Sequence, residues 1–316
     1  MSFANTCCVA IVVAALGSAC SKSETATGPL QSILAADIQR SVDRLTAEDF
    51  SGRGAGTEGE RLAGVYLAGL FEEYGLQGGG WDGSYYQDFS ISEGYSRNVL
   101  AMLAGSDPQL KDEWIIIGAH YDHLGKEKGR ELEPSKNLGY YPGADDDASG
   151  TSVMLEVAQA LAMAKTAPAR SILFMAFGSE ERGLLGSKHY VANPVKPLEK
   201  TVAMINLEMM GRGDVDALTV MLLEEMPATL RNAAKGAADE IGYTLVDGKN
   251  AHLGAGDQYP FYKAGVPILC FYGGENHPDY HRMTDTADKI QSEWMQSVGR
   301  LVYLALIAMA NAPSIN

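Results

Sequence analysis

Five short apolar runs punctuate the chain: Trp114-Ile115-Ile116-Ile117, Ser171 to Phe177, Val202 to Leu207, Leu218 to Leu223 and Val266 to Tyr272. They are rich in β-branched and aromatic residues and bounded by turn formers, a pattern that predicts buried strands. Between most of them apolar residues recur at helical period, and over 151–164 Met154, Val157, Ala158 and Leu161 share one face. Upstream, Leu34, Ile38, Val42 and Leu45 predict a helix. A second is predicted from about Glu58 to Tyr74, with Leu62, Val65, Tyr66, Gly69 and Leu70 on one face. Residues 291–311 read as a closing helix whose apolar part, after Arg300, is too short to span a bilayer.

Continuous apolar strands alternating with helices imply a sheet covered on both sides. The expected fold is α/β in three layers, a mostly parallel central sheet flanked by helices. No repeat or linker interrupts residues 30–312, so 30–316 is expected to be one domain. The stretches 76–95, 124–142 and 249–260 are expected as loops that shape a pocket.

The first 20 residues carry no Asp, Glu, Lys or Arg, and Val9 to Ala19 is an apolar run of signal-peptide length. Leu16-Gly17-Ser18-Ala19-Cys20 resembles a bacterial lipoprotein cleavage site, which would put lipid on Cys20. The expectation is therefore a signal peptide over 1–20, a polar tether over 21–29, and an exported protein of the bacterial periplasm or cell envelope, lipid-anchored, or otherwise secreted after an ordinary signal cut near Ala19. Cys7 and Cys8 would leave with the signal, and Cys270 lies inside an apolar run, so no disulfide framework is expected.

Composition narrows the class. Asp and Glu number 40 against 25 Lys and Arg, a net charge of −15, which argues against nucleic acid or an anionic membrane surface as partner. A soluble acidic globule of 316 residues with 46% hydrophobic positions points to an enzyme.

The chemistry sits where the strands end. The first runs into Gly118-Ala119-His120-Tyr121-Asp122-His123, the second into Gly178-Ser179-Glu180-Glu181, and the third into Asn206-Leu207-Glu208. In an open α/β sheet ligands bind at the carboxyl edge of the strands. Between them lies Gly143-Ala144-Asp145-Asp146-Asp147-Ala148-Ser149-Gly150, and Tyr280-His281 precedes Thr284-Asp285-Thr286. Singly, an acidic run is usually a solvated cap or turn. Together these imidazoles and carboxylates form a zinc-type donor set. One ion needs three or four donors, and the surplus here suggests two ions sharing a carboxylate.

These motifs resemble the co-catalytic zinc aminopeptidases, a family that also includes glutamate-carboxypeptidase-like enzymes and glutaminyl cyclases. The resemblance covers about residues 45–310. It implies the zinc-exopeptidase (phosphorylase/hydrolase-like) architecture and two Zn2+ per chain. His120 and Glu208 would hold one zinc, Glu181 and His281 the other, and Asp145 would bridge them, followed by a cis peptide bond to Asp146. Asp122 would accept the far ring N–H of His120. Glu180 would be the general base toward a water held between the ions, Tyr280 an oxyanion donor, and Asp257 a residue near the pocket. Peptides would be the substrates, cut at the N-terminal bond. Most aminopeptidases of this family have Asp where Glu208 stands, which leaves carboxypeptidase or dipeptidase action open beside aminopeptidase action.

Two rivals share the scaffold: a one-zinc glutaminyl cyclase and a non-catalytic binding protein. Gly54-Ala55-Gly56-Thr57-Glu58-Gly59 matches a dinucleotide fingerprint, but no strand precedes it, and no Gly-x-Ser-x-Gly is present.

Overall fold

The structure, a computed structural model, describes residues 1, 28–92, 94–126, 139–214, 216–274 and 277–315. The run Val9–Ala19, Cys7, Cys8, Cys20 and residues 21–27 of the expected tether lie outside the described residues, as do 127–138 of the expected 124–142 loop.

The chain opens with α1 (Pro29–Ser32), α2 (Ala35–Leu45) and α3 (Glu58–Glu73). Then come β1 (Gln77–Gly78), β2 (Tyr86–Ile91), β3 (Gly94–Leu103) and β4 (Trp114–His120). The middle of the chain holds α4 (Gly150–Ala162), β5 (Ser171–Phe177), α5 (Leu185–Ala192) and β6 (Thr201–Glu208). It continues through β7 (Ala217–Met221), α6 (Ala228–Ile241), β8 (Thr244–Asp247) and α7 (Gln258–Lys263), and closes with β9 (Ile268–Tyr272) and α8 (Ser292–Ala310).

The nine strands of the described residues form one sheet in the order β1-β3-β5-β4-β6-β9-β7-β8, with β2 paired to β3. The four central strands β5, β4, β6 and β9 run parallel, so their carboxyl ends share one edge. Antiparallel pairings flank them: β3 with β1, β2 and β5 on one side, β7 with β9 on the other. The sheet is thus mixed, with a parallel centre.

Strand alternation sorts the core into two layers. Ile115, Ile117, Ile172, Phe174, Ala176, Ala203, Ile205 and Leu207 face the layer of α2, α3, α4, α6 and α8. Ile116, Leu173, Met175, Phe177 and Met204 face the other side, where Tyr190 of α5 and Phe261 of α7 pack. Burial on both faces is why these strands read as unbroken apolar runs. Each such side chain removed from water contributes about 1.5–3 kcal/mol.

Three expectations need correction. The 76–95 stretch is not a loop throughout, because β2 and the start of β3 form an edge hairpin there. Its alternation is short and polar: only Gln87 and Phe89 of Tyr86–Ile91 turn inward. The buried face of α3 is Glu60, Ala63, Gly64, Leu67, Ala68 and Phe71, whereas Val65 is 44% exposed. Small residues carry that face because α3 lies close to the sheet; a Cβ on Gly64 would sit 3.3 Å from the Tyr121 hydroxyl. In the 249–260 stretch, α7 already begins at Gln258. Among the described residues no helix is long and apolar enough to cross a membrane.

Candidate metal centre

The parallel strands β4 and β6 end on His120 and Glu208, and β5 is followed after two residues by Glu180-Glu181. The turn over 144–149 and the loop beyond β9 complete the ring. His120 Nε2 lies 3.1 Å from Asp146 Oδ1 and 3.6 Å from Glu208 Oε1. On the far side His281 Nε2 lies 3.1 Å from Asp146 Oδ2 and 3.3 Å from Glu181 Oε1. His123, which the sequence reading left without a role, puts Nδ1 2.9 Å from Glu181 Oε1 and 3.8 Å from Asp146 Oδ2.

Two groups here have donor atoms close enough to hold a metal ion: His120, Asp146 and Glu208, and His123, Asp146 and Glu181. Among the described residues, Asp146 Oδ2 and both ring nitrogens of His123 are buried with no hydrogen bond of acceptable geometry. Buried polar atoms near one another but not bonded to one another fit a cation between them.

The central carboxylate is therefore Asp146, not Asp145, and the cis peptide bond is Asp146–Asp147, not Asp145–Asp146. Asp145 faces the other way. Its Oδ1 accepts from the Gly211 N–H at 2.6 Å and the Ser149 hydroxyl at 3.2 Å, and Oδ2 lies 3.0 Å from His277 Nε2. Asp147 points back under the turn, accepting from the N–H of Met209 and of Gly150. Three identical residues thus take three different directions.

Asp122 also differs from expectation. Its main-chain carbonyl, a pure acceptor, is 3.1 Å from His120 Nδ1, while its carboxylate stands 3.8 Å away. The His120 proton therefore lies on Nδ1, which leaves the Nε2 lone pair for a cation held between it and Asp146. The Asp122 carboxylate accepts instead from the N–H of Glu180 at 2.9 Å and of Glu181 at 3.3 Å, fixing the turn that carries both glutamates.

Electrostatics follow from crowding. Burial opposes charge on Asp146, yet the imidazoles of His123, His120 and His281 hold its carboxyl well below the usual range. Burial pushes the carboxyls of Asp122, Asp147 and Glu180 well up, with neighbouring carboxylates adding to it. Asp257 is buried nearby and pushed up to about 7 by burial.

Glu208 is gripped on its other oxygen: Asn206 donates to Oε2 at 3.1 Å and to Gln258 Oε1 at 2.9 Å. Tyr280 lies flat on His281, ring centroids 3.9 Å apart at 20°. Beside Glu208 opens a recess lined by Met209, Met221, His252, Tyr272 and Tyr280.

Two anchors escaped the sequence reading. Arg53, immediately before the glycine-rich segment rejected as a nucleotide motif, is fully buried. It donates to the carbonyls of Tyr121, Leu45, Pro142 and Gly143 at 2.6–2.9 Å, tying the end of β4 to the entry of the acidic turn. The kink before it needs Gly52 at φ +74°, where a Cβ would strike the Tyr141 carbonyl. Asp285 accepts from the N–H of Asp145 and Asp146 at 3.0–3.2 Å, holding the turn from beneath.

The chain is similar in sequence and in fold to known proteins. Aminopeptidase YwaD of Bacillus subtilis is 34% identical over 204 residues, 61% of this chain but only 40% of its own length. The LapA aminopeptidase of Legionella pneumophila superposes with a TM-score of 0.72 at 23% identity, over 90% of this chain and 73% of that one. The glutaminyl cyclase of Porphyromonas gingivalis superposes with a TM-score of 0.70 at 23% identity, over 86% and 97%. These likenesses of fold agree with the α/β architecture. The profile of peptidase family M28 matches residues 98–306, well over half of the 316, and every strand that brings a donor to the centre lies within that span. The chain belongs to peptidase family M28.

Proposed function

We propose that the chain is an exopeptidase that removes the N-terminal residue of peptides, working with two zinc ions that share Asp146. The observation that carries this reading is the two-sidedness of that carboxylate: Oδ1 faces His120 and Oδ2 faces His281, with Glu208 on one flank and Glu181 on the other. His120 and Glu208 would hold one ion, and Glu181 and His281 the other. The carboxylates of Asp146, Glu181 and Glu208 would cancel most of the charge of two divalent cations, which makes the pair tolerable in a partly buried cleft. When bound, zinc supplies Lewis acidity toward a peptide carbonyl and lowers the pKa of water.

The proton chemistry belongs to Glu180. It is in neither donor group, and Asp122 fixes its backbone. Burial and neighbouring negative charge raise its proton affinity. It takes a proton from the attacking water and delivers it to the leaving amine. Tyr280, at the mouth of the recess, is the donor toward the oxygen that gains charge. The recess beside Glu208, walled by thioethers and aromatic rings, suits an apolar N-terminal side chain. Export with a lipid on Cys20 is part of this reading, supported by the apolar run Val9–Ala19 and the small residues before that cysteine.

A panel of free-amine, N-blocked and free-acid dipeptides, with and without chelator, tests the proposal. Cleavage of free-amine substrates, abolished by chelation, is expected. Cleavage confined to N-blocked peptides with a free C-terminus would assign a carboxypeptidase. Cyclisation of N-terminal glutamine without peptide hydrolysis would assign a glutaminyl cyclase.

A further inference from the structure

We infer that His123 is a direct ligand of the ion on the Glu181 side, giving that position four protein donors against three on the His120 side. The inference rests on the two-zinc reading above and adds a residue to it. Nδ1 of His123 lies 2.9 Å from Glu181 Oε1 and 3.8 Å from Asp146 Oδ2, and Nε2 of His281 lies 3.3 and 3.1 Å from the same two oxygens. A zinc tetrahedron with bonds of about 2.0–2.1 Å has donor–donor edges of about 3.3 Å, the middle of that range.

Nδ1 of His123 is buried, 2.9 Å from Glu181 Oε1 and 3.8 Å from Asp146 Oδ2, so this nitrogen is turned toward the same two carboxylates that His281 approaches. The imidazoles of His123 and His281 meet at 75°, ring centroids 5.8 Å apart.

The fold also fixes this ring. The main-chain N–H of His123 donates to the Arg53 carbonyl at 3.2 Å, and the residue forms a bridge with Gly54. Gly143, at φ +59°, lies so close that a Cβ there would collide with the ring. The pocket that holds the imidazole is thus built by the same Arg53 segment that anchors the acidic turn.

Four protein donors make the closed coordination of a structural zinc, whereas His120, Asp146 and Glu208 leave a fourth place open. The two ions are therefore not equivalent: one is caged, and the other keeps a site for an exchangeable ligand.

Calorimetric zinc titration of the metal-free full chain, its His123→Phe variant and its His123→Gly variant tests this. The Phe ring keeps the packing against Gly143, and circular dichroism checks the fold of both variants. The unaltered chain should bind two zinc ions in two affinity classes. His123→Phe should weaken the tighter class more than about 100-fold, beyond the 10–100-fold typical of losing an outer-shell partner, and leave the weaker class in place. Free imidazole should restore tight binding to His123→Gly but not to His123→Phe. The cobalt-substituted visible spectrum should change in His123→Phe as a nitrogen donor leaves. Two zinc ions bound by His123→Phe as tightly as by the unaltered chain, with an unchanged cobalt spectrum, would overturn the inference and leave the two-zinc reading intact. Failure of the unaltered chain to bind zinc would overturn both.

Discussion

Three adjacent aspartates of identical chemistry have three different tasks, decided by backbone direction alone. Asp146 faces the donors, Asp145 is spent on Gly211, Ser149 and His277, and Asp147 ties the turn to Met209. Sequence shows an acidic run at a strand-to-helix turn, but side-chain direction depends on φ and ψ set by Asp285 and Arg53 from distant chain. That is why the run could be placed at the centre and its members could not be told apart. The same holds for Asp122, where main chain and carboxylate divide two bonds that the residue type alone assigns to one. Replacing Glu180 by Gln removes the proposed proton acceptor while leaving both donor groups complete. It should lower kcat by about 10²–10⁴-fold with zinc content by elemental analysis unchanged.

At the scale of elements, the parallel strands were legible because burial on both faces leaves unbroken apolar runs such as Ile115–Ile117 and Ile172–Phe177. The edge hairpin of β2 and β3 was not, since a half-exposed strand such as Tyr86–Ile91 mixes Gln, Asp and Ser with its aromatics. Nor was the face of α3, where Ala63, Gly64 and Ala68 pack beside Leu67 and Phe71 while Val65 stays exposed. Arg53 → Met tests the clamp between α2, β4 and the acidic turn. It leaves four buried carbonyls without their donor, and urea unfolding should register a loss of about 3 kcal/mol or more. Glu156 on α4 gives a pH signature. It is 2% exposed, accepts from the Leu34 N–H at 3.2 Å, and burial pushes its carboxyl up from 4.5 to about 7. The stability carried by its protonated form is complete below about pH 4.5 and lost as pH rises through about 7. Glu156→Gln should therefore raise stability by roughly 1–3 kcal/mol at pH 8 and by almost nothing at pH 4, read from denaturation midpoints at both.

At the scale of the molecule, three of the four parallel strands deliver donors from stretches of chain far apart in sequence to one edge, and a turn and the loop beyond the fourth close the ring. Such a concentration of carboxylates and imidazoles couples metal to folding. Chelation should lower Tm, because ions bound at about 1,000 times Kd stabilise the native state by about 4 kcal/mol, and calorimetry with and without chelator reads the shift. The most direct test of the whole account is zinc per chain, by elemental analysis after removal of loosely held metal, for the unaltered protein and for Asp146→Ala beside Asp145→Ala. Two zinc ions in the unaltered chain, retention of both in Asp145→Ala and loss of both in Asp146→Ala are expected. A single zinc in the unaltered chain, or two still held by Asp146→Ala, would contradict a centre built around one shared carboxylate.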